Sequence, residues 1–153
     1  MKAQMHPASL ESHIGYWLRM VSNHVSQSFA RKVEGSGVTV AEWVMLREMY
    51  EAGETSPSRL AASSGLTRGA VSKLVDRLVQ KKLATRAEAD DDRRYQDVKL
   101  TAAGRALVPA LAALADQNDE ECFSGLSTGE RATLTATLRK LAAANHLKQV
   151  PVS

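Results

Sequence analysis

The sequence predicts a mainly α-helical chain with one small β-hairpin. Three observations predict it. Apolar residues recur at steps of three and four along most of the 153 residues, the spacing of one face of a helix. Two stretches alternate instead, Leu83–Arg86 and Tyr95–Leu100, with a charged, turn-forming run between them. Gly65 stands between two short helical patterns, where it permits the positive φ of a tight turn. Helix, turn, helix and hairpin in that order make a winged helix-turn-helix, set between longer helices at either end.

Length and composition fit one compact unit with an ordinary core, since 44% of residues are hydrophobic. The single Cys122 excludes an internal disulfide, and no CxxC pair suggests a zinc ribbon. No apolar run approaches the ~20 residues of a membrane span, and Met1–Leu10 lacks a signal-peptide core, so a cytoplasmic location is expected. The net charge of +3 is modest but unevenly spread. Eleven of the 20 Lys and Arg, against six of the 17 Asp and Glu, lie from Arg59 to Arg105, giving that stretch +5 and the rest −2. A basic centre on a near-neutral scaffold suits a polyanion, although solvated helix faces also concentrate charge.

In chain order, Leu10, Ile14, Trp17, Leu18, Val21, Val25 and Phe29 form one stripe on a long amphipathic helix. Pro7 and Ser9 mark its start and Gly35-Ser36-Gly37 its stop. Such a helix needs a partner along its face, from its own chain or a second subunit. Thr39-Val40-Ala41-Glu42 reads as a capping box, with Glu42 reaching back to Thr39. Trp43, Leu46, Met49 and Tyr50 then form the buried side of a second helix ending near Gly53.

Ser56 is placed to cap a short third helix, with Pro57 at its first position. Leu60 and Ala61 point inward, and the small Ala61 allows a close crossing. Thr67 caps the next helix, whose inward face is Val71, Leu74, Val75 and Leu78. Its other face carries Arg68, Gly69, Ser72, Lys73, Asp76 and Arg77. In a helix-turn-helix this second helix enters the major groove. Arg68 suits a bidentate contact to guanine and Ser72 a base or phosphate. Lys73 and Arg77 suit phosphates, and Ser56 and Thr67, at the helix starts, join the DNA-contacting set. An ordinary solvated face remains the alternative.

The run Glu88–Arg94 reads as a hairpin tip. Its aspartates would repel phosphate, but a carboxylate beside a guanidinium can fix one rotamer for a narrow minor groove. Asp92, Arg93 and Arg94 are therefore assigned to DNA binding, while Asp90 and Asp91 read as solvated charge.

The stretch LVQKKLATRAEADDDRRYQDVKLTAAG resembles the wing signature of the MarR family of bacterial transcription regulators. The match is at Arg86, Asp92, Arg93, Arg94, Leu100, Thr101 and Gly104; Ala89-Asp90 stands where the family often has Asp-Pro. The helices on both sides correspond too, so the resemblance covers nearly the whole chain. It implies a homodimer on a pseudo-palindromic operator, with Asp92 steadying a wing arginine. It also implies a DNA-reading region at 38–101 and a helical dimerisation region at 8–34 and 102–146.

Beyond the wing, Thr101 caps a helix with Leu107, Leu111 and Leu114 on one face, and Pro109 should kink or break it. Ser127-Thr128-Gly129-Glu130 reads as a capping box before Leu134, Leu138 and Leu141. The tail from Asn145 is expected to fray.

A second site is implied by the same resemblance, for a small aromatic or acidic effector. Its candidate residues are His13, Tyr16, Trp17, Met20 and Trp43, with Arg19 as a polar handle. Core packing is the competing role for the two tryptophans. Cys122, beside Glu120 and Glu121, reads as a buried, inert thiol rather than a redox switch; the family's peroxide sensors use a cysteine near the N-terminus, where this chain has none. No metal cluster, cofactor fingerprint or nucleophile–base pair is legible, so an enzyme is not expected. A winged helix used for protein–protein contact is the alternative, and the basic face argues against it.

Overall fold

The computed structural model describes residues 5–88 and 96–152. Among them the chain forms α1 (Ile14–Glu34), α2 (Val40–Ala52), α3 (Pro57–Ser64), α4 (Arg68–Gln80), β1 (Ala84–Glu88), β2 (Gln96–Leu100), α5 (Ala102–Cys122) and α6 (Thr128–Ala144). The mainly helical class and the helix-turn-helix with its hairpin match the expectation.

The first helix starts later than its apolar stripe suggests. A 3-10 turn at Leu10–Ser12 comes first, and His13 is extended, with φ −97° and ψ 129°. Side chains take the carbonyls that a continuous helix would use. Ser12 Oγ donates to the Ser9 carbonyl at 2.6 Å, and Trp17 Nε1 donates to that of Glu11 at 2.8 Å. The stripe itself is largely uncovered by its own chain. Ile14 is 83% exposed and Trp17 50%, whereas Phe29 and Val33, near the helix C-terminus, pack on the core.

Thr39 does cap α2, its hydroxyl accepting the Glu42 amide at 3.1 Å. The reciprocal half of the expected box does not form. The Glu42 carboxylate accepts from the Thr39 hydroxyl at 3.1 Å rather than from its amide, and pairs with Lys81, 2.7 Å away just beyond the end of α4. A buried carboxylate gains more from a charged donor than from the Thr39 amide, so α2 and α4 are tied across the core.

That core is shared by every element of the helix-turn-helix. Met45, Leu46 and Met49 of α2 meet Leu60 of α3, the Val71–Leu74–Val75–Leu78 face of α4, and Val98 of β2. The strands pair antiparallel with Ala84 opposite Leu100 and Arg86 opposite Val98. Thr55 adds a one-residue third strand: Val98 N donates to Thr55 O at 2.7 Å, and Thr55 N to Val98 O at 3.0 Å. This locks the root of the hairpin onto the α2–α3 connection.

Helix α5 crosses close to the hairpin root. A Cβ at Gly104 would overlap the Leu83 carbonyl oxygen, so only glycine fits there. The helix runs unbroken through Pro109, so of the expected kink or break the break does not occur. Val108 and Leu111 on either side are fully packed against the core, and that packing holds the helix together despite the missing N–H. On its far half, Asn118 is buried, donating to the Val25 carbonyl at 3.2 Å and accepting from Lys32 Nζ at 3.1 Å. Lys32 also pairs with Glu121 at 2.8 Å.

The capping box at Ser127 and Glu130 forms as read. Helix α6 buries none of its residues against the rest of the chain. Cys122 is half-buried rather than buried, because it lies at the edge of an apolar groove with Trp17, Phe123 and Leu126. The tail after α6 is not frayed: Val150 N donates to the Ser64 carbonyl at 2.9 Å.

Candidate nucleic-acid interface

Ser56 Oγ accepts the Arg59 amide at 3.2 Å and Thr67 Oγ1 accepts the Ala70 amide at 3.1 Å. Both predicted contact residues therefore act first as N-caps, with a hydroxyl hydrogen left to donate outward. Gly65 closes α3 in the left-handed region at φ +73°, and the chain re-enters a helix three residues later, at Arg68. This turn fixes the angle at which α4 leaves α3.

The buried side of α4 leaves the opposite side to solvent. Arg68, Lys73 and Arg77 are exposed and Ser72 is half-buried. A 13-residue helix with that division presents one polar, basic face along its length, of the width a major groove admits. Arg68 occupies the first position of the helix, the end that meets base edges in this class of docking.

Asp76, on the same face, is not a DNA-facing charge by itself. It holds Arg86 of β1 at 2.9 Å, and the same guanidinium donates to the Ser72 carbonyl at 3.2 Å. The hairpin and α4 are thereby one unit. An acidic residue on an otherwise basic face is the signal in the sequence that a local counter-charge exists. Other cations in the basic centre are likewise committed internally: Lys81 to Glu42, and Arg105 stacked 4.9 Å from the Tyr50 ring. The +5 of this stretch overstates what remains for a partner. Asp92, Arg93 and Arg94 lie outside the described residues.

The proposed effector residues are not brought together within one chain. Trp43 lines a cavity of about 260 Å³ between α1, α2 and α5, with Val25, Phe29, Val44 and Asn118. Trp43 and Phe29 meet edge to face there, 6.4 Å between centroids. His13, Tyr16, Met20 and Arg19 line a separate hollow at the start of α1, and Trp17 lies on the groove beside Cys122. Asn118 and Phe29 were not singled out from the sequence. Phe29 reads as ordinary stripe, and nothing local marks Asn118 as buried. No group of His, Cys, Asp and Glu able to hold a metal ion occurs among the described residues, and no described helix is long and apolar enough to cross a membrane.

Comparison with known proteins places this arrangement. Residues 36–94, from the turn before α2 to the hairpin, match the family model described as MarR family. The HTH-type transcriptional repressor NicR of Pseudomonas putida is 26% identical over 135 residues, covering 88% of this chain and 85% of NicR. BpsR of Bordetella bronchiseptica, whose DNA binding is regulated by 6-hydroxynicotinic acid, superposes with a TM-score of 0.77 at 28% identity, covering 90% of this chain and 98% of that one. MepR of S. aureus in complex with DNA gives 0.75 at 27% identity, covering 86% and 98%. With the same helices, the same hairpin and the matching central segment, the chain has the fold of MarR-family proteins and carries that family's match over residues 36–94.

Proposed function

We propose that this protein is a sequence-specific DNA-binding transcription repressor. It acts as a homodimer on a pseudo-palindromic operator in the cytoplasm, and a small aromatic or acidic effector relieves it. The observation that carries the reading is α4: its apolar side is buried while Arg68, Lys73 and Arg77 are exposed on the other. Residues 38–101 are the DNA-reading region, with Ser56, Thr67, Arg68, Ser72, Lys73 and Arg77 on the helices and Asp92, Arg93 and Arg94 at the wing. NicR is named a repressor, and MepR is found in complex with DNA, which supports the same role here.

Residues 8–34 and 102–146 supply the dimer frame. Ile14, Trp17, Leu18 and Val21 of α1, with Leu138 and Leu141 of α6, are all more than 40% exposed. Exposed apolar surface on this scale marks an interface, and a two-fold partner would cover it in the self-complementary way. The effector reading rests on the Trp43 cavity and on the response of BpsR to 6-hydroxynicotinic acid. His13, Tyr16, Trp17 and Met20 are kept as proposed contacts, to be completed from the two sides of a dimer.

Selection of bound sequences from random duplex DNA tests the reading. Two half-sites spaced about one helical turn apart are expected. Arg68→Ala should lose preference at one base pair per half-site, about 1–3 kcal/mol of discrimination. A selection that returns no enriched half-site would overturn the function.

A further inference from the structure

The tail after α6 touches two places of functional interest at once. At one end, Val150 N donates to the Ser64 carbonyl at 2.9 Å. Ser64 is the last residue of α3 and is fully buried; its carbonyl is one of those a helix end leaves without an intrahelical donor. Its hydroxyl is also committed, accepting the Leu66 amide at 3.3 Å. Beside it, a Cβ on Gly65 would lie 3.0 Å from Gln149 Cα, so the tail backbone presses on the turn of the helix-turn-helix itself. At the other end, Pro151 lines the Trp43 cavity. The two ends are also joined through α2. Val44 lines that cavity, and one turn on, Glu48 accepts from Ser63 Oγ at 3.4 Å.

We propose that residues 148–152 are a strap that couples the cavity to the turn before the recognition helix. Seated, the strap caps α3 and holds Gly65 in place. A ligand that fills the cavity displaces Pro151, draws Val150 from Ser64 and loosens the start of α4. Ligand and seated strap compete, and by linkage whatever unseats the strap must favour the ligand to the same degree. The cavity half of this inference rests on the effector reading; the contact with the turn does not.

Two measurements on the full chain separate those halves. The first needs no ligand: thermal unfolding of the unaltered protein, Gly65→Ala, Val150→Pro and the double variant. Val150→Pro removes the N–H donor, while Val150→Ala keeps it and should unfold near the unaltered protein. Gly65→Ala meets both the positive φ and Gln149 when the strap is seated, but mainly the φ when it is not. Its loss in Tm should be clearly smaller in the Val150→Pro background; equal losses would overturn the strap.

The second measurement is calorimetric titration with 6-hydroxynicotinic acid, followed by binding to a selected operator duplex with and without it. Val150→Pro should bind this probe about two- to tenfold more tightly, the range one hydrogen bond supports, and its DNA affinity should respond less to the probe. Equal probe affinity in both chains, with the same effect on DNA, would overturn the coupling. No binding by either chain, with the unequal Tm losses retained, would remove the effector reading and leave the hold on the turn established.

Discussion

Replacing Lys81 with methionine isolates the contact that fixes α4 to the rest of the helix-turn-helix. Its ammonium lies 2.7 Å from one oxygen of Glu42 and 3.0 Å from the other, and 2.8 Å from the Gly37 carbonyl. At an effective dielectric constant of about 20, Coulomb's law gives a gross attraction of roughly 6 kcal/mol at that distance, most of it offset by desolvation. The Glu42 side chain is 2% exposed and that of Lys81 39%. An exposed pair contributes about 0–1 kcal/mol, and breaking a fully buried one costs about 3–5 kcal/mol. One buried and one half-open partner put Lys81→Met near 2 kcal/mol of lost stability, about 1 M in urea midpoint for a slope of ~2 kcal/mol/M. Urea unfolding at one fixed protein concentration measures it, because association contributes to stability. The double variant Glu42→Gln, Lys81→Met should recover most of the loss, since no buried charge is then stranded. A single-variant loss below about 0.5 kcal/mol, or a double variant as unstable as the single, would refute the reasoning.

Two further outcomes follow from the α1–α5 and α5–α6 contacts. Asn118→Ala removes the bridge from Val25 to Lys32 and should cost about 1–3 kcal/mol in the same urea assay, the penalty of leaving buried partners unmet. Acid should loosen this region as well. The Arg131 guanidinium bonded to Glu120, the Lys32 ammonium bonded to Glu121, and the Ser127 backbone N–H bonded to Glu130 each hold a carboxyl below the usual carboxylate range. A carboxyl lowered in the folded state adds stability that is fully present above its ordinary value and lost as pH falls through the lowered one. Stability should thus be flat near neutrality and decline below about pH 4.5, and Glu120→Gln with Glu121→Gln should flatten that decline.

Much of the helix-turn-helix was legible because local rules and tertiary packing agree there. Ser56, Pro57, Gly65 and Thr67 mark helix ends by their own chemistry, and Val71, Leu74, Val75 and Leu78 are buried as their spacing requires. The reading failed where a residue had two partners to choose between. Glu42 had an adjacent amide within reach and took a lysine 39 positions away. Pro109 met the local rule for a break, but packing on both sides overrode it. Nothing in the tail marks Val150 as a donor to Ser64, since a backbone amide carries no sequence signal. The effector residues scattered for a related reason: an α1 stripe shows which side is apolar but not which part its own chain will cover.

The central claim is that the exposed basic face of α4 grips DNA phosphates. Anisotropy titration of a labelled duplex with the unaltered protein and with Lys73→Ala, across a range of salt concentrations, tests it most directly. Affinity should fall steeply and linearly with log salt, and Lys73→Ala should weaken all duplexes alike while flattening the slope by about one unit per protomer. Binding that is absent, or that ignores salt in both proteins, would contradict the account.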